Sequence, residues 1–327
     1  MATYKGIKGF NIQTVSSDPS VPFVGQVWYN STSATVKYFA VLSAAWSTGG
    51  NLVTATRNQA GAGTQTAALS IGGEPTPNPT TQEYNGTSWT AGGNLGDSRQ
   101  LLGGAGTQTA ALAFGGDVGT TKQVITEEYN GTSWTNGGNM ANARNQMAGA
   151  GTQTAGLVAG GGSPVPAGFT VLTEEYNGSS WTAGGNMSLL RMNLAGCGTQ
   201  TAGLIFGGQN DPAPAINATE EYNGSSWTNG GNLISATTQL SGSGLQTAAL
   251  AYGGTTDGSS KTTTEQYNGT SWTASASLSA PRLSGGAAGT ENSSAAYFGG
   301  NQPSASTSAT TEEFEGGGPT TLTVGTD

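Results

Sequence analysis

Histidine is missing from this 327-residue chain, cysteine occurs once, and only 9% of residues are charged. Without histidine there is no His-ligated zinc and no nucleophile–histidine pair. The lone Cys197 allows neither an intrachain disulfide nor a cysteine-based metal site. It stands between Gly196 and Gly198, where sister segments carry Ala62, Ala105, Ala150 and Ser243, so it reads as a small buried residue. Ten basic residues face 19 acidic ones, and the net charge of −9 repels phosphate backbones, which argues against nucleic acid as a partner. No apolar run approaches the ~18 residues of a membrane span, and the N-terminus has no apolar leader core, so no membrane insertion is expected.

Glycine, by contrast, is abundant, at 55 residues. The glycines are periodic, which separates the chain from low-complexity disorder. Self-similarity dominates the sequence. Tryptophans recur at Trp46, Trp89, Trp134, Trp181, Trp227 and Trp272, at intervals of 43, 45, 47, 46 and 45 residues. A double glycine closes an apolar run at Gly72-Gly73, Gly115-Gly116, Gly160-Gly161, Gly207-Gly208, Gly253-Gly254 and Gly299-Gly300. Thr-Glu-Glu-Tyr or a close variant ends at Tyr84, Tyr129, Tyr176, Tyr222, Tyr267 and Phe314. A period near 45 with these markers points to a β-propeller.

Each repeat reads as four short strands, with no capped 3.6-periodic segment to suggest a helix. In one copy the first strand is expected over Ala143–Gly151, opened by Arg144, and the second over Thr154–Ala159. The third falls around Thr173–Tyr176 and the fourth at Ser180-Trp181-Thr182. The second has no polar face, which suits a strand covered on both sides. Asn177-Gly178 signals a two-residue hairpin with positive φ. The last repeat ends at Phe314 without a tryptophan strand, and Ala45-Trp46-Ser47 supplies one at the other end. The expected fold is all-β: a six-bladed propeller over residues 45–314, closed by an N-terminal strand that leaves no sheet edge exposed.

The apolar strand ending in Gly-Gly, a following tyrosine, a nearby tryptophan and an arginine farther on (Arg57, Arg99, Arg144, Arg191, Arg282) resemble kelch repeats. Here tyrosine and tryptophan stand five apart, closer than the kelch pattern usually has them, and Asn-Gly follows the tyrosine instead of Asp-Pro. The near-identical copies are also similar to the Gly/Thr-rich kelch-like repeats of virion proteins of tailed bacteriophages, marine and cyanobacterial ones especially. Residues 1–44 are not a repeat. They carry Tyr4, Lys5 and Lys8, then Gly25-Gln26-Val27-Trp28-Tyr29-Asn30, and Val27, Tyr29, Val36 and Tyr38 alternate as in a β-hairpin. A Gly-x-Val-Trp-Tyr-Asn segment ahead of a repetitive region resembles the N-terminal segment of such phage structural proteins. That resemblance implies attachment to other virion proteins through this segment, with Tyr4, Lys5, Lys8, Trp28 and Tyr29 as candidates. Residues 315–327 are expected as a C-terminal tail.

Glutamate pairs recur at Glu127-Glu128, Glu174-Glu175, Glu220-Glu221 and Glu312-Glu313. A glycosidase works with one carboxylate pair, not one per repeat. The expectation is that one glutamate of each pair meets the strand-one arginine of a neighbouring blade. Sialidases share the six blades, yet Tyr176-Asn177-Gly178-Ser179-Ser180-Trp181 lacks the aspartate of their repeated turn, and galactose-oxidase-type copper needs histidines. No catalytic residue, metal or cofactor is expected. Tyr84, Tyr129, Tyr176, Tyr222 and Tyr267 are candidates for stacking on sugars, with packing beside the tryptophans as the stronger reading.

Comparing the repeats with one another separates two faces. The 1–2 turns (Gly-Thr-Gln-Thr in four copies) and the 3–4 turns are uniform, whereas the 2–3 connections differ in every copy. These connections bring Asp117, Lys122, Phe169, Asn210, Asp211, Asp257 and Lys261, candidate contacts for a host-surface glycan or protein. The expected function is non-enzymatic: a virion-located protein, either a capsid decoration or a tail-fibre or baseplate component. A surface-polysaccharide depolymerase would need a symmetry-breaking pocket, and an intracellular kelch adaptor would bring a companion domain.

Overall fold

Short runs of small and apolar residues, each broken by glycine, satisfy their backbone groups only by pairing with one another. The computed structural model has strands throughout and no helix among the residues it describes, which are 12–75, 78–164, 167–210, 215–303 and 306–324. The chain forms two compact units, residues 1–44 with 316–327, and residues 45–315.

In the first unit β1 (Gln13–Val15), β2 (Val27–Asn30) and β3 (Thr35–Leu42) form one sheet with the strand Gly318–Thr323. β2 and β3 are antiparallel, with Val27 opposite Tyr38 and Tyr29 opposite Val36. The C-terminal stretch is not a free tail here: Gly318–Thr323 pairs along β3 from Leu42 to Lys37 and covers an otherwise open edge. Asp18 is the polar hub of this unit. Its carboxylate accepts from Trp28 Nε1 (3.0 Å), Asn30 Nδ2 (2.7 Å) and Lys37 Nζ (2.7 Å), and these bonds, Lys37's foremost, hold it down at about 2.

The second unit consists of four-stranded antiparallel sheets in a propeller-like arrangement. The sheet of β5 (Ala60–Thr64), β6 (Ala67–Ile71), β7 (Thr81–Tyr84) and β8 (Trp89–Ala91) sets the pattern, repeated four more times along the chain. The last sheet, Gly286–Glu291, Ser294–Phe298 and Thr311–Glu315, takes its fourth strand from β4 (Ala45–Thr48), with Trp46 opposite Phe314. The second strands are buried on both faces, as their small and apolar character requires, with Ser70 the buried polar exception in β6. Each tryptophan packs beside its own tyrosine or phenylalanine, and its indole N–H donates to a threonine hydroxyl on the preceding sheet. Trp89 reaches Thr311 (2.9 Å), Trp134 reaches Thr81 (2.9 Å), and Trp46 reaches Thr264 (3.0 Å).

Two local expectations need correction. The first strand of the third sheet covers Ala148–Thr152, so Arg144 lies ahead of it rather than opening it. The turn at Asn177-Gly178 is a four-residue loop, because Tyr176 pairs with Trp181, and only Gly178 has positive φ (89°). Asn177 acts through its side chain instead: Oδ1 accepts from the backbone N–H of Ser179 (3.0 Å) and Ser180 (2.9 Å).

The first strands run side by side, and their glycines permit it. A Cβ on Gly61 would stand 2.2 Å from the carbonyl oxygen of Ala287 in the last sheet. Just ahead of each first strand, one non-glycine residue adopts the left-handed conformation at φ 54–55°: Asn58, Leu101, Gln146, Asn193, Gln239 and Ser284. Their backbones are linked head to tail. Leu101 N donates to Asn58 O, Gln146 to Leu101, Asn193 to Gln146, Gln239 to Asn193 and Ser284 to Gln239. Asn58 N then donates to Ser284 O, with all six bonds between 2.8 and 3.0 Å.

Candidate functional site

The recurring charges are committed to the frame. Arg99 pairs with Glu127 (2.8 Å), Arg144 with Glu174 (2.6 Å), Arg191 with Glu220 (2.8 Å) and Arg282 with Glu312 (2.6 Å), all buried. Each pair lies within one sheet, not between neighbours as expected. The arginine sits ahead of the first strand, where its guanidinium also reaches carbonyls at the end of the second strand and before the third, such as Gly160 O and Leu172 O for Arg144. The second glutamate makes the contact between sheets. It accepts the tyrosine hydroxyl of the next one: Tyr84 to Glu313, Tyr129 to Glu83, Tyr176 to Glu128, Tyr222 to Glu175 and Tyr267 to Glu221. Burial, reinforced by the neighbouring carboxylate, raises each of these hydroxyls to about 12. The five tyrosine rings are wholly buried, which removes them as sugar-stacking platforms.

Arg57 does not belong to this series. Thr56 occupies the arginine position of the first sheet, and Gln82 replaces the matching glutamate. Arg57, one residue later, pairs with Glu74 (2.8 Å) and donates to Asn301 Oδ1 (3.0 Å) at the start of the 2–3 connections. The fifth sheet breaks the pattern differently. Glu265 is buried without an arginine, since Thr237 stands in its place, and this burial raises the Glu265 carboxyl above its ordinary value. Lys261 leans in from the 2–3 connection to donate to Ala236 O (3.1 Å) and Thr237 Oγ1 (3.2 Å).

The other residues singled out in the 2–3 connections have distinct surroundings. Asp117 is buried, accepts from Asn145 Nδ2 (2.8 Å), and faces Lys122 across a two-stranded ribbon. Phe169 is half-buried opposite Gly162, Asn210 is half-buried, and Asp257 is exposed, accepting from Ser259 N (3.2 Å). Asp211, Tyr4, Lys5 and Lys8 lie outside the described residues. Trp28 is wholly buried in the first unit, so it builds that sheet instead of offering a contact surface, and Tyr29 is half-buried beside it.

Two cavities lie along the first strands. The wider, about 260 Å³, is walled by glycine and alanine with threonines at its rim. The narrower, about 110 Å³, is lined by the six left-handed residues and those that follow them. It belongs to the variable face: each left-handed residue follows one that bridges to the first residue of a 2–3 connection, as Arg57 does to Glu74 and Gln100 to Asp117. This ring escapes a reading of the sequence because Asn, Leu, Gln, Asn, Gln and Ser share no residue type.

No protein-family model matches the chain, and no curated protein matches it. Among solved structures, that of YjhT resembles it with a TM-score of 0.68 at 14% identity, over 80% of this chain and 95% of YjhT. The likeness is one of fold alone.

Proposed function

We propose that the second unit is a six-bladed, kelch-like β-propeller closed by β4, and that the protein is a non-enzymatic structural and binding component of a tailed-phage virion. The cycle of six backbone hydrogen bonds and the pairing of Trp46 with Phe314 support the closed ring. The virion reading rests on the Gly/Thr-rich repeats and on the Gly25–Asn30 segment, which resemble phage structural proteins. The observation that carries the binding role is the contrast between two faces of one frame: uniform 1–2 and 3–4 turns against 2–3 connections that differ in every copy. In this reading the first unit attaches the protein to other virion proteins, and the variable face meets a host-surface glycan or protein.

Two preparations of particles test it. Mass spectrometry of purified virions should detect the chain at fixed stoichiometry, and a variant limited to residues 45–327 should be lost from them while still folding. Absence of the full-length chain from purified particles would overturn the virion assignment. Exchanging three adjacent 2–3 connections for one short uniform turn should abolish adsorption to the host and leave the fold intact. Adsorption lost instead on altering the Asn-Gly turns would place binding on the opposite face.

A further inference from the structure

Six side chains are kept in a strained backbone conformation around one small cavity. A left-handed conformation is costly for any residue with a Cβ and nearly free for glycine. In the second unit every other positive-φ residue among those described is glycine, including both members of each double glycine. At the narrower cavity none of the six is. Strain held in every copy at one place marks a position where side chains are needed.

The side chains there are alike in one respect: none is charged. Asn58, Gln146, Asn193 and Gln239 present amides, Ser284 a hydroxyl and Leu101 an apolar surface. Asn58 Nδ2 donates to Glu74 Oε1 (3.1 Å), whereas the side chains of Gln146, Asn193, Gln239 and Ser284 make no hydrogen bond among the described residues. Their donors and acceptors therefore remain free, half-buried around a cavity of about 110 Å³. Amides offer both a donor and an acceptor at each tip, which matches the alternating capacity of a hydroxyl group. The cavity lining carries no charged side chain to replace an ion's hydration, and the Glu74 carboxylate that adjoins Asn58 is already neutralised by Arg57, so the site discriminates against ions.

The geometry points to this ring as a binding site for a neutral, polyhydroxylated ligand, the uncharged end of a glycan. Gln146, Asn193 and Gln239 form its hydrogen-bonding arc, and Leu101 stands next to Gln146 at one end of it. The inference deepens the reading of the variable face as the binding face and does not depend on virion membership.

The test uses the free full-length chain and saturation-transfer NMR with glucose, galactose, mannose and N-acetylglucosamine, with glucuronic acid and glucosamine as charged controls. At least one neutral sugar should show transfer, with the charged controls weaker. The variant Gln146→Gly/Asn193→Gly/Gln239→Gly should bind about tenfold more weakly or worse, through loss of several hydrogen bonds. It should melt within a few degrees of the parent, since glycine relieves the left-handed strain. Should the triple variant unfold, the single Asn193→Gly and Gln239→Leu changes give the same readout. No transfer from any neutral sugar, equal binding by a variant that folds, or preference for a charged control would each overturn the proposal. Failure here alongside a successful loop exchange would leave the face correct and the ligand class wrong.

Discussion

The chain contains its own control for the buried arginine–glutamate pairs. In the third sheet the Arg144 guanidinium bonds Glu174 Oε1 at 2.6 Å and also donates to Leu172 O at 2.7 Å, with both side chains almost fully shielded. Replacing Arg144 by threonine strands a buried carboxylate and a carbonyl, a loss of about 3–5 kcal/mol. Glu174→Gln alone strands the guanidinium and costs a comparable amount. The first sheet carries both replacements together, Thr56 and Gln82, and remains satisfied: Gln82 Oε1 accepts from Thr54 N (3.0 Å) and its Nε2 donates to Thr54 O (3.1 Å). The double variant Arg144→Thr/Glu174→Gln should therefore lose much less than the sum of its parts, with a coupling of about 2 kcal/mol or more. Urea unfolding followed by tryptophan fluorescence gives the three values, since Trp181 belongs to the same sheet. Salt should change them little, because the pair is shielded from solvent. Additivity within about 0.5 kcal/mol would refute the argument that the two charges exist for each other.

Three further outcomes follow from the same frame. Gly61→Val should destabilise by about 3 kcal/mol or more, as its Cβ meets the Ala287 backbone, whereas Ala287→Gly should cost under about 1 kcal/mol; thermal melts of the two variants decide it. Glu265, raised by burial above the ordinary carboxylate range, binds its proton more tightly folded than unfolded, so its contribution is least unfavourable at low pH and worsens as pH climbs from the ordinary carboxylate range through the raised value. Glu265→Gln should then match the parent near pH 4 and exceed it at neutral pH, with Lys261 intact in both, and a stability difference independent of pH would count against this. Removing residues 1–48 takes away β4 and the Trp46 contacts with Tyr252 and Phe314, and calorimetry should show melting lower by about 10 °C.

Much of this was legible because repeats advertise themselves. The period, the double glycines and the tyrosine–tryptophan spacing located second, third and fourth strands, since each marker is a buried group with a fixed partner. Arg57 misled because an arginine near the right place resembles its neighbours. The distance to the double glycine is the better guide: Arg99, Arg144 and Arg191 each stand 16 residues before the glycine carbonyl they bond, and in the first repeat that place is Thr56. The destination of the glutamates was hidden for another reason. Sequence adjacency says that two carboxylates point to opposite faces of a strand, but not which face looks inward to its own sheet's arginine and which toward the next sheet's tyrosine. The left-handed ring was beyond reach, since its common property is backbone conformation.

The hydrogen-bond cycle also restricts how such a gene can change length. In a chain of six donors and six acceptors that returns to its first member, there is no terminal position at which a partial unit can be added. Recombination between near-identical copies that inserts or removes a fraction of a repeat breaks the cycle and leaves one N–H and one carbonyl orphaned. Only whole copies preserve the pairing, and a whole copy more or less forces every neighbour to a new angle. Each copy enters the cycle with one donor and one acceptor, which makes the whole repeat the unit in which the chain can lengthen or shorten.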